Sequence, residues 1–209
     1  MSCVKKLARF DLGGLDPNRR CEIRAIRWCA VTQTLVLPGW GGSGPDHWQG
    51  LWVRDKPGFV MVEQRDWDQP DRDEWVAALH QAVSDADGSV VLVAHSLGCH
   101  TVAHWAAKYA EPVRGALLVA PPDLEYSVDV KGATAIAGFG PPASVSLPFP
   151  AVLAASRTDP WAPIDRSRRL AKRWGADFVD LGEAGHVNPA SGNGPWVKGE
   201  ELLEQLLVS

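Results

Sequence analysis

The sequence has no long apolar segment and no secretory signal. No apolar run reaches the roughly 18 residues that a membrane-spanning helix requires. The N-terminus also lacks the apolar stretch of an export signal. These absences predict a cytoplasmic protein that has no membrane partner.

Positive charge and cysteine are both scarce. The 209 residues hold 21 Lys and Arg against 25 Asp and Glu, so the net charge is -4. Because nucleic-acid binding needs a cationic face, we expect no nucleic-acid partner. The four cysteines form no Cys-x-x-Cys pair and are too few for a disulfide scaffold, so we expect free thiols in a reducing compartment.

Tryptophan, in contrast, is abundant. Ten Trp outnumber the two Tyr and five Phe together. With 45% hydrophobic and 22% charged residues the chain can bury a core, and its length suits a single domain. Composition alone leaves open whether the indoles fill this core or line a site.

The first thirty residues differ from the remainder in charge and pattern. Residues 1–30 contain seven Lys and Arg against three Asp and Glu, whereas residues 31–209 contain 14 against 22. Hydrophobic periodicity is poor there, apart from a strand-like segment at 21–28, and the acidic residues are atypical of a transit peptide. We predict a loosely ordered or edge-strand extension over 1–30 and a folded domain over 31–209.

From residue 34 onward, short apolar segments alternate with helical patterns. The apolar segments are rich in Val, Leu and Ala and do not alternate, which is typical of strands covered on both faces. The predicted strands are 34–38, 59–62, 89–94, 115–120, 151–155 and 177–181. The predicted helices are 72–86, 97–109, 166–174 and 199–208. This order predicts an α/β fold, with one mostly parallel central sheet flanked by helices and with chemistry at the carboxyl ends of its strands.

The segment 123–150 interrupts this alternation. It contains several prolines and glycines and has only a weak apolar pattern. We predict a loop or a very small lid rather than a second domain.

Ser96 lies in a segment typical of a nucleophile elbow. The apolar strand segment runs into a small-x-Ser-x-Gly turn, and a helical pattern follows. Such a turn exposes the serine Oγ at the end of a sheet. Ala94 stands where the general motif has Gly, and similar turns also join strands to helices without any chemistry. Whether the turn at Ser96 is catalytic or only structural therefore depends on the other residues in the sequence.

A general base and an orienting acid follow Ser96 in the chain. Asp159 comes just after the fifth predicted strand and His186 just after the sixth. The order Ser, Asp, His is that of α/β hydrolases, so these residues are predicted to form a catalytic triad. Asp159 alone could be a simple turn residue. Asp123 and Asp129 are rival acids, but they follow the preceding strand.

The glycine-rich segment 38–45 directly follows the first predicted strand. We predict that the backbone N–H groups of Trp40 and Leu97 form an oxyanion hole. No Gly-Lys-Ser/Thr follows the glycines, which argues against a phosphate-binding loop.

Three histidines near the elbow are candidate metal ligands. His100 and His104 stand one helical turn apart, and His95 precedes Ser96. No Glu accompanies them as in His-Glu-x-x-His, and the cysteines offer no partner pattern. We predict packing roles for these histidines, no metal and no cofactor.

With these residues identified, the chain resembles the small serine α/β-hydrolase family typified by retinoblastoma-binding protein nine and its bacterial relatives. The resemblance covers roughly residues 34–207 and rests on the segments 37–43, 46–48, 66–67, 94–99, 119–123, 147–150, 156–160 and 185–188, with Trp196. It implies a compact fold with a minimal lid and a triad of Ser96, Asp159 and His186. It also implies hydrolysis of small esters or amides, which in some members is aminopeptidase-like. The Leu-x-Cys-x-Glu binding motif that the family name implies is incomplete, because Thr101 ends the segment.

Several tryptophans lie on or beside the predicted reactive loops. Trp40 and Trp48 lie in or just after the glycine-rich segment 38–45, which we also call the oxyanion segment. Trp161 follows the triad acid, and Trp196 follows the loop of the triad base. We therefore predict that indoles wall a small, partly apolar pocket over Ser96, with Trp48, Trp161 and Trp196 as pocket residues.

The substrate is less well defined by the sequence. Acidic residues are concentrated between 63 and 74, where they could bind the ammonium group of an aminoacyl substrate or simply form a solvated helix start. The main prediction is a serine hydrolase that acts on small ester or amide substrates through an acyl-enzyme. The alternatives are an aminopeptidase-like aminoacyl hydrolase and a non-catalytic binding module on the same scaffold. The oligomeric state stays open.

Overall fold

The computed structural model describes residues 32–109, 111–125 and 133–208. The predicted N-terminal extension, the strand-like segment 21–28 and Asp129 all lie outside the described residues. No helix in the described ranges is long and apolar enough to cross a membrane.

Six strands form one parallel sheet. They are β1 (Gln33–Leu37), β2 (Phe59–Met61), β3 (Val90–His95), β4 (Gly115–Val119), β5 (Ala151–Ala155) and β6 (Asp177–Asp180). Their spatial order is β2-β1-β3-β4-β5-β6, and every neighbouring pair is parallel. Every residue of β3 and β4 is buried, which explains why these segments are continuously apolar. The predicted α/β class and central sheet are confirmed.

Helices connect the strands. They are α1 (Trp48–Asp55), α2 (Arg72–Ser84), α3 (Leu97–Lys108), α4 (Ala133–Ile136), α5 (Ile164–Trp174) and α6 (Val197–Val208), with 3-10 turns at Ala137–Phe139 and Pro189–Ser191. The sequence predicted α2, α3, α5 and α6 to within two residues at each end but missed α1. That helix has only eight residues, two of which are Gly50 and a final Asp, so its apolar pattern is short.

The sheet separates two layers of core. Alternate residues of the central strands face opposite layers, so Leu92 packs in one while Val91 and Val93 pack in the other. The first layer contains α2, α3 and α5, with Trp105 and Trp174 buried among aliphatic residues. The second layer contains α1 and α6 and is rich in indoles, namely Trp48, Trp52 and Trp196.

The described part of the segment 123–150 includes α4 and the 3-10 turn that follows it. Ile136 and Phe139 are buried against Trp75 and Leu97, which anchors this small helical unit near the start of α3. It has the size of the very small lid that the sequence allowed.

Candidate active site

Ser96 occupies the sharp turn between β3 and α3. Its backbone has φ 53 and ψ -124, a conformation that residues other than glycine rarely adopt. The Ser96 amide donates a hydrogen bond to the Val119 carbonyl at 2.8 Å. Gly98 lets α3 approach β1, because a Cβ at this position would lie 2.5 Å from the Leu37 carbonyl oxygen. This is the strand–turn–helix geometry of an elbow that presents a serine at the sheet edge.

The three residues predicted as a triad meet at the carboxyl edge of the sheet. His186 Nε2 lies 3.0 Å from Ser96 Oγ, and His186 Nδ1 lies 3.0 Å from each carboxylate oxygen of Asp159. The side chain of Asp159 is 2% exposed and that of His186 is 11% exposed. Because Nδ1–H donates to the carboxylate, Nε2 is free to accept the hydrogen bond of the serine hydroxyl.

Two hydroxyl groups join the loop of Asp159 to the loop of His186. The buried Ser156 Oγ donates to the Gly182 carbonyl at 3.2 Å and accepts from the Ala184 amide at 2.9 Å. Thr158 Oγ1 accepts from the Gly185 amide at 3.1 Å. Sequence reasoning missed both hydroxyls as site residues, although they belong to the segment 156–160, which contributes to the family resemblance.

The rival acid Asp123 lies elsewhere. Its carboxylate pairs with the Arg166 guanidinium on α5, which also contacts Glu125. These carboxylates raise the pKa of Arg166. The three residues border a separate cavity of about 50 Å³, whose lining does not include Ser96. Asp123 is therefore not the acid that orients His186.

The glycine-rich segment passes directly over Ser96. A Cβ on Gly39 would lie 2.6 Å from the Ser96 Cβ and 3.1 Å from the Leu97 nitrogen. In the described ranges, neither the Trp40 amide nor the Leu97 amide donates to a backbone carbonyl. Leu97 is also the first residue of α3, where the helix dipole is positive. The two predicted oxyanion donors therefore lie on the segments that border the serine.

A cavity of about 530 Å³ opens over Ser96. Trp40, Trp161 and Ile136 give it an apolar part, and the two indole rings meet edge to face with centroids 6.2 Å apart. Polar side chains also border it, among them Asp46. The cavity is thus mixed in character, with aromatic surface beside the serine.

The prediction that Trp48 and Trp196 line this pocket is wrong. Trp48 is 0% exposed and Trp196 is 5% exposed, and neither borders the cavity. Their ring centroids lie 4.9 Å apart in the second core layer, where Trp52 joins them. Both residues follow or precede site loops in the chain, but their side chains point into the core. Trp161, in contrast, does line the cavity.

The hypothesis that the acidic residues between 63 and 74 bind a substrate ammonium group is also wrong, because none of them borders the cavity. Asp66 accepts two backbone N–H groups of the following turn, which lower its pKa. Asp71 caps α2 by accepting from the Glu74 amide at 3.0 Å. This segment is the solvated helix start that the sequence offered as the alternative.

Two further histidines lie beside the predicted base. The ring centroid of His95 is 4.9 Å from that of His186 and 4.8 Å from that of His47. Burial, with a smaller effect of His186, lowers the pKa of His47 to about 4 and holds the pKa of His95 well below its usual range. Both imidazoles are therefore neutral at pH 7.

His100 and His104 donate to backbone carbonyls. His100 Nε2 lies 2.7 Å from the Pro122 oxygen, and His104 Nε2 lies 2.9 Å from the Phe139 oxygen. Across the described ranges, no group of three or more His, Cys, Asp or Glu side chains could hold a metal ion.

A parallel sheet with an elbow serine, hydrogen-bonded to a histidine and through it to an aspartate, defines a hydrolase of the α/β class. The chain belongs to the serine hydrolase family, whose model matches residues 34–205. The predicted membership of a small serine α/β-hydrolase family is thereby confirmed.

Solved structures of hydrolases are similar to this chain over most of its length. A YdeN-like hydrolase from Pectobacterium atrosepticum is 29% identical, with a TM-score of 0.75 over 90% of this chain and 97% of the other. The ydeN gene product of B. subtilis is 18% identical, with a TM-score of 0.71 over 86% and 100%. A monoacylglycerol lipase from Paleococcus ferrophilus is 13% identical, with a TM-score of 0.63 over 84% and 94%. The last two share the fold alone. No curated protein sequence matches the chain.

Proposed function

We propose that the protein hydrolyses small ester or amide substrates through an acyl-enzyme on Ser96. The observation that supports this most directly is the continuous hydrogen-bond path from Asp159 through His186 to Ser96, in which each contact is 3.0 Å. Nucleophilic catalysis by serine needs a base within this distance and an acid that orients the base.

The mechanism follows from the direction of these hydrogen bonds, in which Ser96 donates to His186 and His186 donates to Asp159. His186 Nε2 removes the hydroxyl proton as Ser96 Oγ attacks the substrate carbonyl, and Asp159 stabilises the imidazolium that forms. The Trp40 and Leu97 amides donate to the oxyanion. The leaving group takes the proton from His186, and the acyl-enzyme remains. His186 then activates a water molecule, which releases the acid and restores the serine.

The cavity supports a small substrate. Its volume is about 530 Å³, and the aromatic surface of Trp40 and Trp161 suits a compact apolar or aromatic acyl group. In the part of the lid that the structure describes, α4 spans four residues, which favours a short acyl group over a long lipid chain that would need a larger apolar cover. A cytoplasmic location is also part of the proposal and rests on the sequence.

Labelling with a fluorophosphonate tests the nucleophile. The native protein should be labelled, and Ser96→Ala should not. A label that survives the substitution would contradict the assignment of Ser96. A native protein that takes no label and turns over no ester would contradict catalysis and favour the binding module.

A second candidate is an aminoacyl hydrolase, and Asp46 is the observation that favours it. Among the described lining residues, Asp46 is the one carboxylate that borders the cavity. It could bind the ammonium group of an aminoacyl ester, a role for which the segment 63–74 is wrongly placed.

Matched pairs of aminoacyl and simple acyl esters test this candidate. Native protein should prefer the aminoacyl member, and Asp46→Asn should lose that preference. Asp87→Asn is the control, because Asp87 is exposed and does not border the cavity. Equal turnover of both esters by the native protein would reject the candidate.

A further inference from the structure

The first turn of α1 contacts several parts of the site without lining much of the cavity. We propose that Trp48 and Gln49, together with His95, are positioning residues that hold the His186 loop and the oxyanion segment in their reactive geometry. This inference rests on the proposed serine hydrolysis, and it gives the buried residues of α1 a role beyond packing.

Trp48 holds the backbone next to the base. Its indole N–H donates to the Val187 carbonyl at 2.8 Å across 139 positions of sequence. Val187 has φ 50, which is unfavourable for a β-branched residue, so its surroundings must maintain this conformation. Because Trp48 is fully buried among other rings, its N–H is a fixed donor.

His95 holds the preceding carbonyl. Its Nε2 donates to the His186 carbonyl at 2.8 Å. Because a carbonyl oxygen can only accept, Nε2 carries the hydrogen, and the lowered pKa of His95 keeps a positive charge away from the base. Its ring lies between those of His47 and His186. The carbonyls of residues 186 and 187 are therefore both held, one from β3 and one from α1.

Gln49 holds the oxyanion segment. Its side-chain Nε2 donates to the Leu37 carbonyl at 3.0 Å and to the Val93 carbonyl at 3.2 Å, and its Oε1 accepts from Ser43 at 2.8 Å. Leu37 ends the strand that leads into the glycine-rich segment, and Val93 lies on the strand that leads to Ser96. The buried Gln49 amide thus holds β1, β3 and the glycine-rich segment relative to one another.

Trp48 and Gln49 do not border the cavity, so they should act on the chemical step rather than on substrate binding. A misplacement of about 1 Å at a reacting group lowers the rate by up to about a hundredfold. Loss of these hydrogen bonds should therefore lower kcat and leave KM close to its native value.

The decisive comparison is Trp48→Phe with Trp52→Phe. Trp52 lies in the same helix and the same aromatic cluster, with its ring 4.8 Å from that of Trp48, but its indole N–H has no hydrogen-bond partner in the described ranges. Both variants remove the same atoms from the core, and only Trp48→Phe removes a hydrogen bond to the site. We expect kcat of Trp48→Phe to fall about ten- to a hundredfold, whereas Trp52→Phe keeps kcat near the native value.

A second pair keeps the proposal testable if Trp48→Phe fails to fold. His95→Gln retains a side-chain N–H that can reach the His186 carbonyl, and His95→Leu removes it. We expect kcat to be largely restored in His95→Gln relative to His95→Leu. Thermal unfolding of every variant is measured alongside, because a merely structural role would change stability without separating kcat from KM.

The outcomes are distinguishable. If native protein reacts with fluorophosphonate and Trp48→Phe turns over substrate as fast as Trp52→Phe, the positioning role is overturned and the proposed function stands. If the native protein is inert, both fail. If kcat falls in Trp48→Phe with KM unchanged while Trp52→Phe stays near native, and kcat is higher in His95→Gln than in His95→Leu, the positioning role is supported. No KM criterion applies to the His95 variants, because His95 borders the cavity.

Discussion

Buried tryptophans on the two faces of the sheet make the same kind of hydrogen bond to different parts of the molecule. In the first core layer, Trp174 donates its indole N–H to the Ala143 carbonyl at 3.1 Å. In the second layer, Trp48 donates to the Val187 carbonyl at 2.8 Å. Both side chains are fully buried. The first bond holds the connection that leads to β5, and the second holds the loop of the triad base.

Buried histidines repeat this contrast. His100 donates to the Pro122 carbonyl and packs against Trp174, whereas His95 donates to the His186 carbonyl. Burial lowers the pKa of both. Residue type, burial and pKa are therefore alike on the two faces, and the difference lies in which backbone segment each side chain holds. Neither burial nor a shifted pKa alone identifies a residue that serves the site.

The two acids that competed for the triad should show the largest difference. Asp159→Asn should lower kcat by about 10⁴-fold, because the amide favours the wrong tautomer of His186. Asp123→Asn should leave kcat near the native value and lower the free energy of unfolding by about 1 to 3 kcal/mol, since it weakens the pairing with Arg166.

Steady-state kinetics and urea unfolding of both variants measure these effects. An Asp159→Asn variant that keeps the native kcat would contradict the assignment of Asp159 as the acid. A large loss of kcat in Asp123→Asn would contradict it too. Either result would also show that the acid in contact with His186 and the acid paired with Arg166 on α5 do not differ in role as the structure indicates.

Buried histidines on both faces of the sheet should contribute to the pH dependence of the free energy of unfolding. His47 and His100 each have a folded-state pKa of about 4, lowered from 6.5 chiefly by burial. The unfolded chain therefore binds more protons than the folded chain between these values. The free energy of unfolding is therefore highest above pH 6.5 and falls as the pH drops from 6.5 through 4, by up to about 3 kcal/mol for each histidine.

Urea unfolding between pH 7 and 4 measures this loss in native protein and in His100→Gln. The variant should show a shallower decline, because one of the shifted groups is gone. His47→Gln should flatten the decline in the same way, and a decline that neither substitution changes would show that these histidines are not its source.

Much of the fold could be predicted from the sequence because buried parallel strands have a local signature. The continuously apolar β3 and β4 have no polar face, and the predicted bounds of all six strands lie within one residue of the observed ones. The order Ser96, Asp159, His186 after β3, β5 and β6 also locates the residues of the triad, because parallel strands bring their carboxyl ends to one edge.

The direction of side chains at loop ends could not be predicted. Trp48 and Trp161 both flank site loops, yet one lies in the core and the other lines the cavity. The contact of Trp48 with Val187 joins residues that are 139 positions apart and leaves no periodic pattern in the chain. For the same reason the hydroxyl bridges of Ser156 and Thr158 between two loops had no local signal.

A smaller effect is expected for the indole on the first face. Trp174→Phe removes the hydrogen bond to Ala143 and part of a buried ring, so the free energy of unfolding should fall by about 1 to 3 kcal/mol. Because Ala143 does not border the cavity over Ser96, kcat should stay near the native value. Chemical unfolding and kinetics on the same preparation test this, and a kcat loss as large as that of Trp48→Phe would abolish the contrast between the faces.

The smallest effect is expected in the acidic segment between 63 and 74. Asp71→Ala removes the carboxylate that accepts the Glu74 amide at the start of α2, so the free energy of unfolding should fall by about 1 kcal/mol. Asp71→Asn keeps a side-chain acceptor at the cap and should recover most of that loss. Neither variant should change the ratio of aminoacyl to simple acyl ester turnover, because Asp71 does not border the cavity. A changed ratio would return the acidic segment to the substrate site and would weaken the case for Asp46.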